Sequence, residues 1–296
     1  MKKIIFLTLM IIAACLGGAK AYVDHRLGIE LNTSIREVGD SVAIEYAEVS
    51  TSLLGSVYIR DMRITVPSYA PVLVDTIILH KAYKFYNPNT LPQHISISIQ
   101  GMQIPIKNTA APAPVLISAL GYAPYYLTPK ELRGLGYARI NADIAIEAKQ
   151  LGDNKMLLAG RIDAQAWGEL ALSVDLIHVP TALSSLSKAA HQIQLAAGSL
   201  TYINKGFFER LFTRLAQRNN LTVNRLKKGL ISKLKSDISQ AGIILDSSVL
   251  TSLEQFIQSP DKLIIRLQPN PAIRINTLFL RSPKRLGLKM GVINSK

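Results

Sequence analysis

The sequence predicts an α+β protein that is mainly β: a long curved antiparallel sheet with a C-terminal group of two or three helices packed on it. Two observations carry this. From Val42 to Leu176, apolar residues recur at every second position in runs broken by short Gly-, Pro- or Asn-containing stretches, the period of strands with one buried face. From Phe207 to Ile257 the apolar spacing changes to three and four, the period of helices with one buried stripe.

The N-terminus sets the compartment. Lys2 and Lys3 precede sixteen uncharged residues, Ile4 to Ala19. As a helix these would rise about 24 Å, short of a hydrocarbon core of roughly 30 Å. Lys20 can snorkel, which extends the stretch through Val23 before Asp24-His25-Arg26 ends it. Three fates fit residues 1–21. Ala19-Lys20-Ala21 has the small-x-small form of a signal-peptidase site. Ile12-Ala13-Ala14-Cys15 is similar to a lipobox, with lipidation at Cys15. Uncleaved, the segment is a membrane anchor with its lysines held inside. The plain alternative is a buried helix of a cytosolic protein. Export or anchoring is the expectation, at the cell inner membrane on its periplasmic side, or in the periplasm if cleaved. Cys15 is the only cysteine, so the body has no disulfide and no thiolate metal site.

Next, Leu27, Leu31 and Ile35 are spaced by four and predict a short helix leaving the membrane. Strands follow over Val42–Ala47 and Leu53–Val66, with Gly55 at a turn or bulge between them. Pro67–Pro71 breaks the chain before a strand over Val72–His80. Ile95, Ile97 and Ile99 alternate with Ser96, Ser98 and Gln100 in the cleanest half-buried strand. Residues 101–136 carry five prolines and read as an insertion between sheet segments. Thr128-Pro129-Lys130-Glu131 there has the form of a capping box. Tyr122, Tyr125 and Tyr126 fit either the lining of an apolar groove or packing within the insertion.

Strands resume at Tyr137. Three successive alternating runs, with a hairpin turn at Leu151–Asn154, predict an antiparallel meander ending near Leu176. Thr181–Ala190 reads as coil or short helix, and Ile193–Ile203 as a strand. Phe207, Phe208, Leu211, Phe212 and Leu215 stripe the first C-terminal helix. Thr222 caps a second, striped by Val223, Leu226, Leu230, Leu234 and Ile238 and closed by Gly242. Ser248–Ile257 is a third. Strands end the chain at Lys262–Leu267, Ala272–Leu280 and Leu286–Ile293. The organisation is a signal or anchor (1–21), a sheet region (22–180) holding the insertion, and a basic helical and strand region (181–296) continuous with the same sheet.

Charge is uneven. Residues 22–180 hold 13 Lys/Arg against 15 Asp/Glu, whereas 181–296 hold 18 against 5. A basic half beside a near-neutral half predicts an anionic surface as partner or a plain solvated face. Behind an export signal, anionic lipid is expected rather than nucleic acid. The sharpest basic feature is Arg210, Arg214 and Arg218, spaced by four, joined by Lys227 and Lys228. The competing reading is an ordinary solvated face of a helix held by its Phe stripe.

Chemistry is sparse. The five histidines (His25, His80, His94, His178, His191) show no metal-ligand spacing. There is no G-x-S-x-G or G-x-x-x-x-G-K. Asp61, Asp75, Asp143 and Asp163 sit singly in strands. No catalytic residue, metal site, cofactor or enzymatic activity is predicted, and protein partners are not identified.

The pattern resembles AsmA-like and YdgA-like bacterial envelope proteins. The residues that carry the resemblance are the anchor running into Tyr22-Val23-Asp24, then Tyr46–Val49 and Leu54–Ile59. A second stretch is Leu200–Phe207, leading into the Arg210 helix. An acidic residue often stands at this strand-to-helix step in that group; Asn204 departs from it. The resemblance implies inner-membrane anchoring, a periplasmic body and a role in lipid handling or envelope homeostasis. Two functions are expected in turn: a non-enzymatic anchored envelope protein that binds lipid in an apolar groove, or a lipoprotein or secreted module that binds an acidic partner through its basic helices.

Overall fold

A computed structural model describes residues 20, 23–33, 35, 42–52, 54–67, 69–82, 90–106, 129–152, 154–182, 185, 188–280 and 282–293. The N-terminal segment 1–19 with Cys15, the capping Thr128 and the tyrosines of 122–126 lie outside these residues. Residues 23–33 are helical (α1). Asn32 of α1 takes a 2.9 Å hydrogen bond from the Tyr46 hydroxyl.

The body is one antiparallel sheet of twelve strands. In chain order they are β1 Ala43–Glu45, β2 Glu48–Thr51, β3 Val57–Thr65, β4 Val72–His80, β5 His94–Pro105, β6 Arg139–Gly152, β7 Lys155–Ala164, β8 Gly168–Ile177, β9 Gln194–Asn204, β10 Lys262–Leu267, β11 Ile273–Arg274 and β12 Lys289–Ile293. The order across the sheet is β1-β3-β4-β5-β6-β7-β8-β9-β10-β12, with β2 paired to β3 and β11 to β9. The predicted mainly-β α+β class is therefore what the chain adopts. Since β8 pairs with β9, the sheet runs unbroken across residue 180.

Alternation along each strand becomes rows across the sheet. Val49, Ile59, Ile77, Ile99, Ile144, Ile162, Leu170, Tyr202, Leu263 and Val292 stand opposite one another in successive strand pairs. The neighbouring row runs Val57, Leu79, Ile97, Ile146, Gly160, Leu172, Leu200, Ile265 and Met290. Side chains two apart share a face, so these rows make one continuous aliphatic face. The other face carries Ser96, Glu147, Arg161, Ser173 and Thr201.

Four further helices are present among the described residues: α2 Pro129–Gly134, α3 Phe207–Arg218, α4 Val223–Gln240 and α5 Ser247–Gln258. Phe212, Ala216, Leu226, Leu230 and Ile257 form the core that joins α3, α4 and α5. Phe208 and Phe256 meet the Tyr202 ring edge-on at 5.6 and 6.1 Å, which sets α3 and α5 on the aliphatic face at β9. Thr222 accepts the Arg225 N–H at the start of α4, as the sequence predicts. Asp246 does the same for Ser248 in α5, and that bond holds its carboxyl below the usual range.

Three boundaries are corrected. The strand predicted from Val42 to Ala47 is only Ala43–Glu45 (β1), and a further strand beyond it, Glu48–Thr51 (β2), also edges β3. The insertion begins after β5, which runs to Pro105. The strand predicted over Ala272–Leu280 is only Ile273–Arg274, followed by a 3₁₀ turn, Ile275–Leu280. The reason is the partner: Ile273 and Arg274 pair with Leu195 and Gln194, the first residues of β9, and among the described residues no strand pairs with those beyond.

Candidate functional site

The predicted basic row lies against the end of the insertion. Arg210 holds its guanidinium 5.0 Å over the Tyr137 ring and donates to the Leu135 carbonyl at 3.4 Å. Arg214 lies over Gly134, where an added Cβ would meet its Nε at 3.5 Å. Arg218 pairs with Glu131 of α2 at 3.1 Å. The three arginines thus lie along α2 and the turn after it. The Arg210 partners Leu135 and Tyr137 belong to a buried cluster with Leu132, Phe207 and Leu211. Within it Trp167 stacks on Phe207 at 5.0 Å, and the Tyr137 hydroxyl donates to the Ala166 carbonyl at 2.8 Å. Burial raises the Tyr137 pKa above its ordinary value.

Lys227 donates to the Gln258 carbonyl at 2.7 Å and lies 5.3 Å from the Phe212 ring centre. Lys228 is exposed. Arg210, Arg214, Arg218 and Lys228 are all exposed, but their contacts differ. Arg210, Arg214 and Arg218 brace α2 on α3, Lys227 joins α4 to the end of α5, and Lys228 points to water.

Asn204, the departure noted at the strand-to-helix step, has a local role. Its side-chain Oδ1 accepts the Phe208 N–H at 3.2 Å, and its side-chain Nδ2 donates to both Glu209 oxygens at 2.8 Å. A carboxylate here would face Glu209 instead of binding it.

Three of the strand aspartates are neighbours: Asp143 stands opposite Asp163 on the next strand, and Asp75 and Asp143 both approach Gly101. Asp163 pairs with Lys205. Asp143 accepts the Gly101 N–H at 2.8 Å. Among the described residues no three or more of His, Cys, Asp and Glu are grouped so as to hold a metal ion.

Two surfaces missed by motif reasoning stand out. The first is the aliphatic face over β6–β8. Ile146, Leu158, Ile162, Leu170 and Leu172 share that face and are 36–47% exposed. Large aliphatic side chains gathered in one exposed patch mark a site of contact rather than chance. The alternation was readable in the sequence. That the helices stop covering the face at β9 was not.

The second is the opposite, hollowed face. A depression of about 350 Å³ there crosses β5–β9, between Ser96 and Thr201. Its polar groups already have partners: Glu147 lies in hydrogen-bond contact with the His94 ring at 2.9 Å, and Arg161 pairs with Glu169 at 2.9 Å.

Among the described residues no helix is long and apolar enough to cross a membrane. A family described only as an uncharacterized protein matches residues 161–292, which run from the end of β7 into β12 and include the helices α3–α5. No curated protein matches the chain.

Proposed function

We propose that the protein is a non-enzymatic, membrane-anchored envelope protein that holds lipid acyl chains against the aliphatic face of β6–β8. The observation that carries the reading is the shared exposure of Ile146, Leu158, Ile162, Leu170 and Leu172 on adjacent strands. Each methylene removed from water contributes about 0.8 kcal/mol, so a face with room for several acyl methylenes suits lipid better than a small polar solute. The apolar N-terminal segment supports an acyl partner, because a chain tethered by Ile4–Ala19 keeps its body beside a bilayer. The open face takes the place of the apolar groove expected from sequence.

A lipoprotein or secreted module reaching an acidic partner through its basic helices has less support. Arg210, Arg214 and Arg218 are exposed on α3 but already contact α2 and its turn, so such a partner would compete with those contacts.

The test is lipid analysis of the full chain purified in mild detergent. Wild type is expected to carry phospholipid, Leu172→Glu and Ile162→Glu to lose most of it, and Ser173→Glu on the opposite face to keep it. Lipid-free wild type, or equal lipid in all variants, overturns the reading.

A further inference from the structure

The strongest concentration of uncommitted positive charge lies beyond the helices. From Lys262 to Lys296 there are eight Lys/Arg and no Asp or Glu. Two of these arginines, Arg274 and Arg285, line one hollow of about 480 Å³ together with Gln194, Asn270, Pro271 and Ile273. Neither guanidinium has an ion pair or side-chain hydrogen bond among the described residues, whereas Arg60, Arg161 and Arg218 each meet a carboxylate.

The walls of this hollow are fixed by backbone. On one side Arg274 pairs with Gln194 in the β11–β9 ladder, and the Ile275 N–H donates to the Ile193 carbonyl at 3.2 Å. On the other side Arg285 sits in the turn 283–287, closed by its own N–H to the Ser282 carbonyl at 3.0 Å. That turn is tied to the end of β10 by the Gln268 N–H donating to the Leu286 carbonyl at 3.1 Å. Gly287 allows the approach: its φ is +59°, and a Cβ there would run into the Gln268 backbone. The guanidiniums are thus carried on two braced segments rather than on free loops.

We propose that this hollow binds a phosphate ester, with Arg274 and Arg285 taking the phosphate oxygens and the Gln194 and Asn270 amides donating beside them. Guanidinium forks match phosphate oxygens in geometry and charge. The volume exceeds that of a bare phosphate and leaves room for an esterified glycerol or sugar over Pro271 and Ile273. The proposal stands apart from the acyl-binding face: it concerns other residues and a polar ligand.

The test uses the full chain in detergent, titrated calorimetrically with inorganic phosphate and glycerol 3-phosphate. In parallel, binding to phosphatidylglycerol-containing vesicles is compared with binding to pure phosphatidylcholine vesicles. The variants are Arg274→Gln/Arg285→Gln, Arg274→Lys/Arg285→Lys and, as control, Lys149→Gln on β6. At least a tenfold loss is expected for the Gln pair, a partial loss for the Lys pair, and none for the control. Loss read with glycerol 3-phosphate assigns a soluble ester. Loss read only as a lost preference for phosphatidylglycerol assigns a lipid headgroup. Wild type without affinity for any of these anions, or a Gln pair that binds as wild type does, overturns the proposal.

Discussion

Arg210 and Tyr137, 73 residues apart in sequence, are joined by a guanidinium held 5.0 Å over the tyrosine ring. Through this contact the first C-terminal helix grips the end of the insertion just before β6 begins. A double-mutant cycle with Arg210→Ala and Tyr137→Leu, followed by urea unfolding, is expected to show a coupling of about 0.5–1 kcal/mol. Additive losses would mean that the stack contributes nothing.

Core and face should respond differently to truncation. Phe212 is buried among Leu226, Leu230 and Ile257, so Phe212→Ala should cost about 3–5 kcal/mol. Leu172 is 47% exposed, so Leu172→Ala should stay within about 0.5 kcal/mol of wild type. A large loss at Leu172 would mean that the face is packed, not open.

Asn204 should be hard to replace by an acid. Asn204→Ala removes a bond to the Phe208 N–H and should cost about 1 kcal/mol, as at other helix starts. Asn204→Asp keeps that acceptor but sets a negative charge against Glu209. Its excess cost at pH 7 should shrink as pH falls through the carboxylate range. An Asp variant as stable as wild type at neutral pH would contradict the geometry.

How far the sequence could be read depended on range. Period-two alternation placed most strands, and the Phe207–Leu215 stripe placed α3, because both are local patterns. The partners of Arg210 and Arg218 lie 75 and 87 residues away, so spacing alone marked the row as charged but not as engaged. Likewise, Ile162 and Leu170 read as core residues by alternation. Only the register, and the place where α3 and α5 end, leaves them partly exposed. The Arg274–Arg285 hollow gave no signal except the run of basic residues after Asp261, because a two-residue strand and a turn build it.

Gly101 should tolerate no side chain. Its φ is +63°, and a Cβ would collide with the Asp75 carboxylate. Gly101→Ala should cost at least the roughly 1–2 kcal/mol of a left-handed non-glycine residue. Asp75→Ala should recover the part due to the collision. Thermal unfolding of the two single variants and the double variant measures both.

Stability should fall in alkaline solution. Burial raises the Tyr202 pKa above its ordinary value, and its hydroxyl donates to the Trp167 carbonyl at 3.0 Å. The unfolded chain ionises this tyrosine near pH 10, whereas the folded chain keeps it neutral. The stabilisation is therefore complete below pH 10 and declines as pH rises beyond it. Urea midpoints from pH 8 to 11.5 should fall less steeply above pH 10 for Tyr202→Phe than for wild type; parallel profiles would exclude Tyr202 as a source.

The acyl-binding reading is tested most directly by a photo-reactive side chain placed at Leu172 or at the adjacent Ser173, irradiated in intact envelopes. Crosslinking of phospholipid from position 172 and not from 173 is the result predicted. Crosslinking to neither, or equally to both, would contradict it.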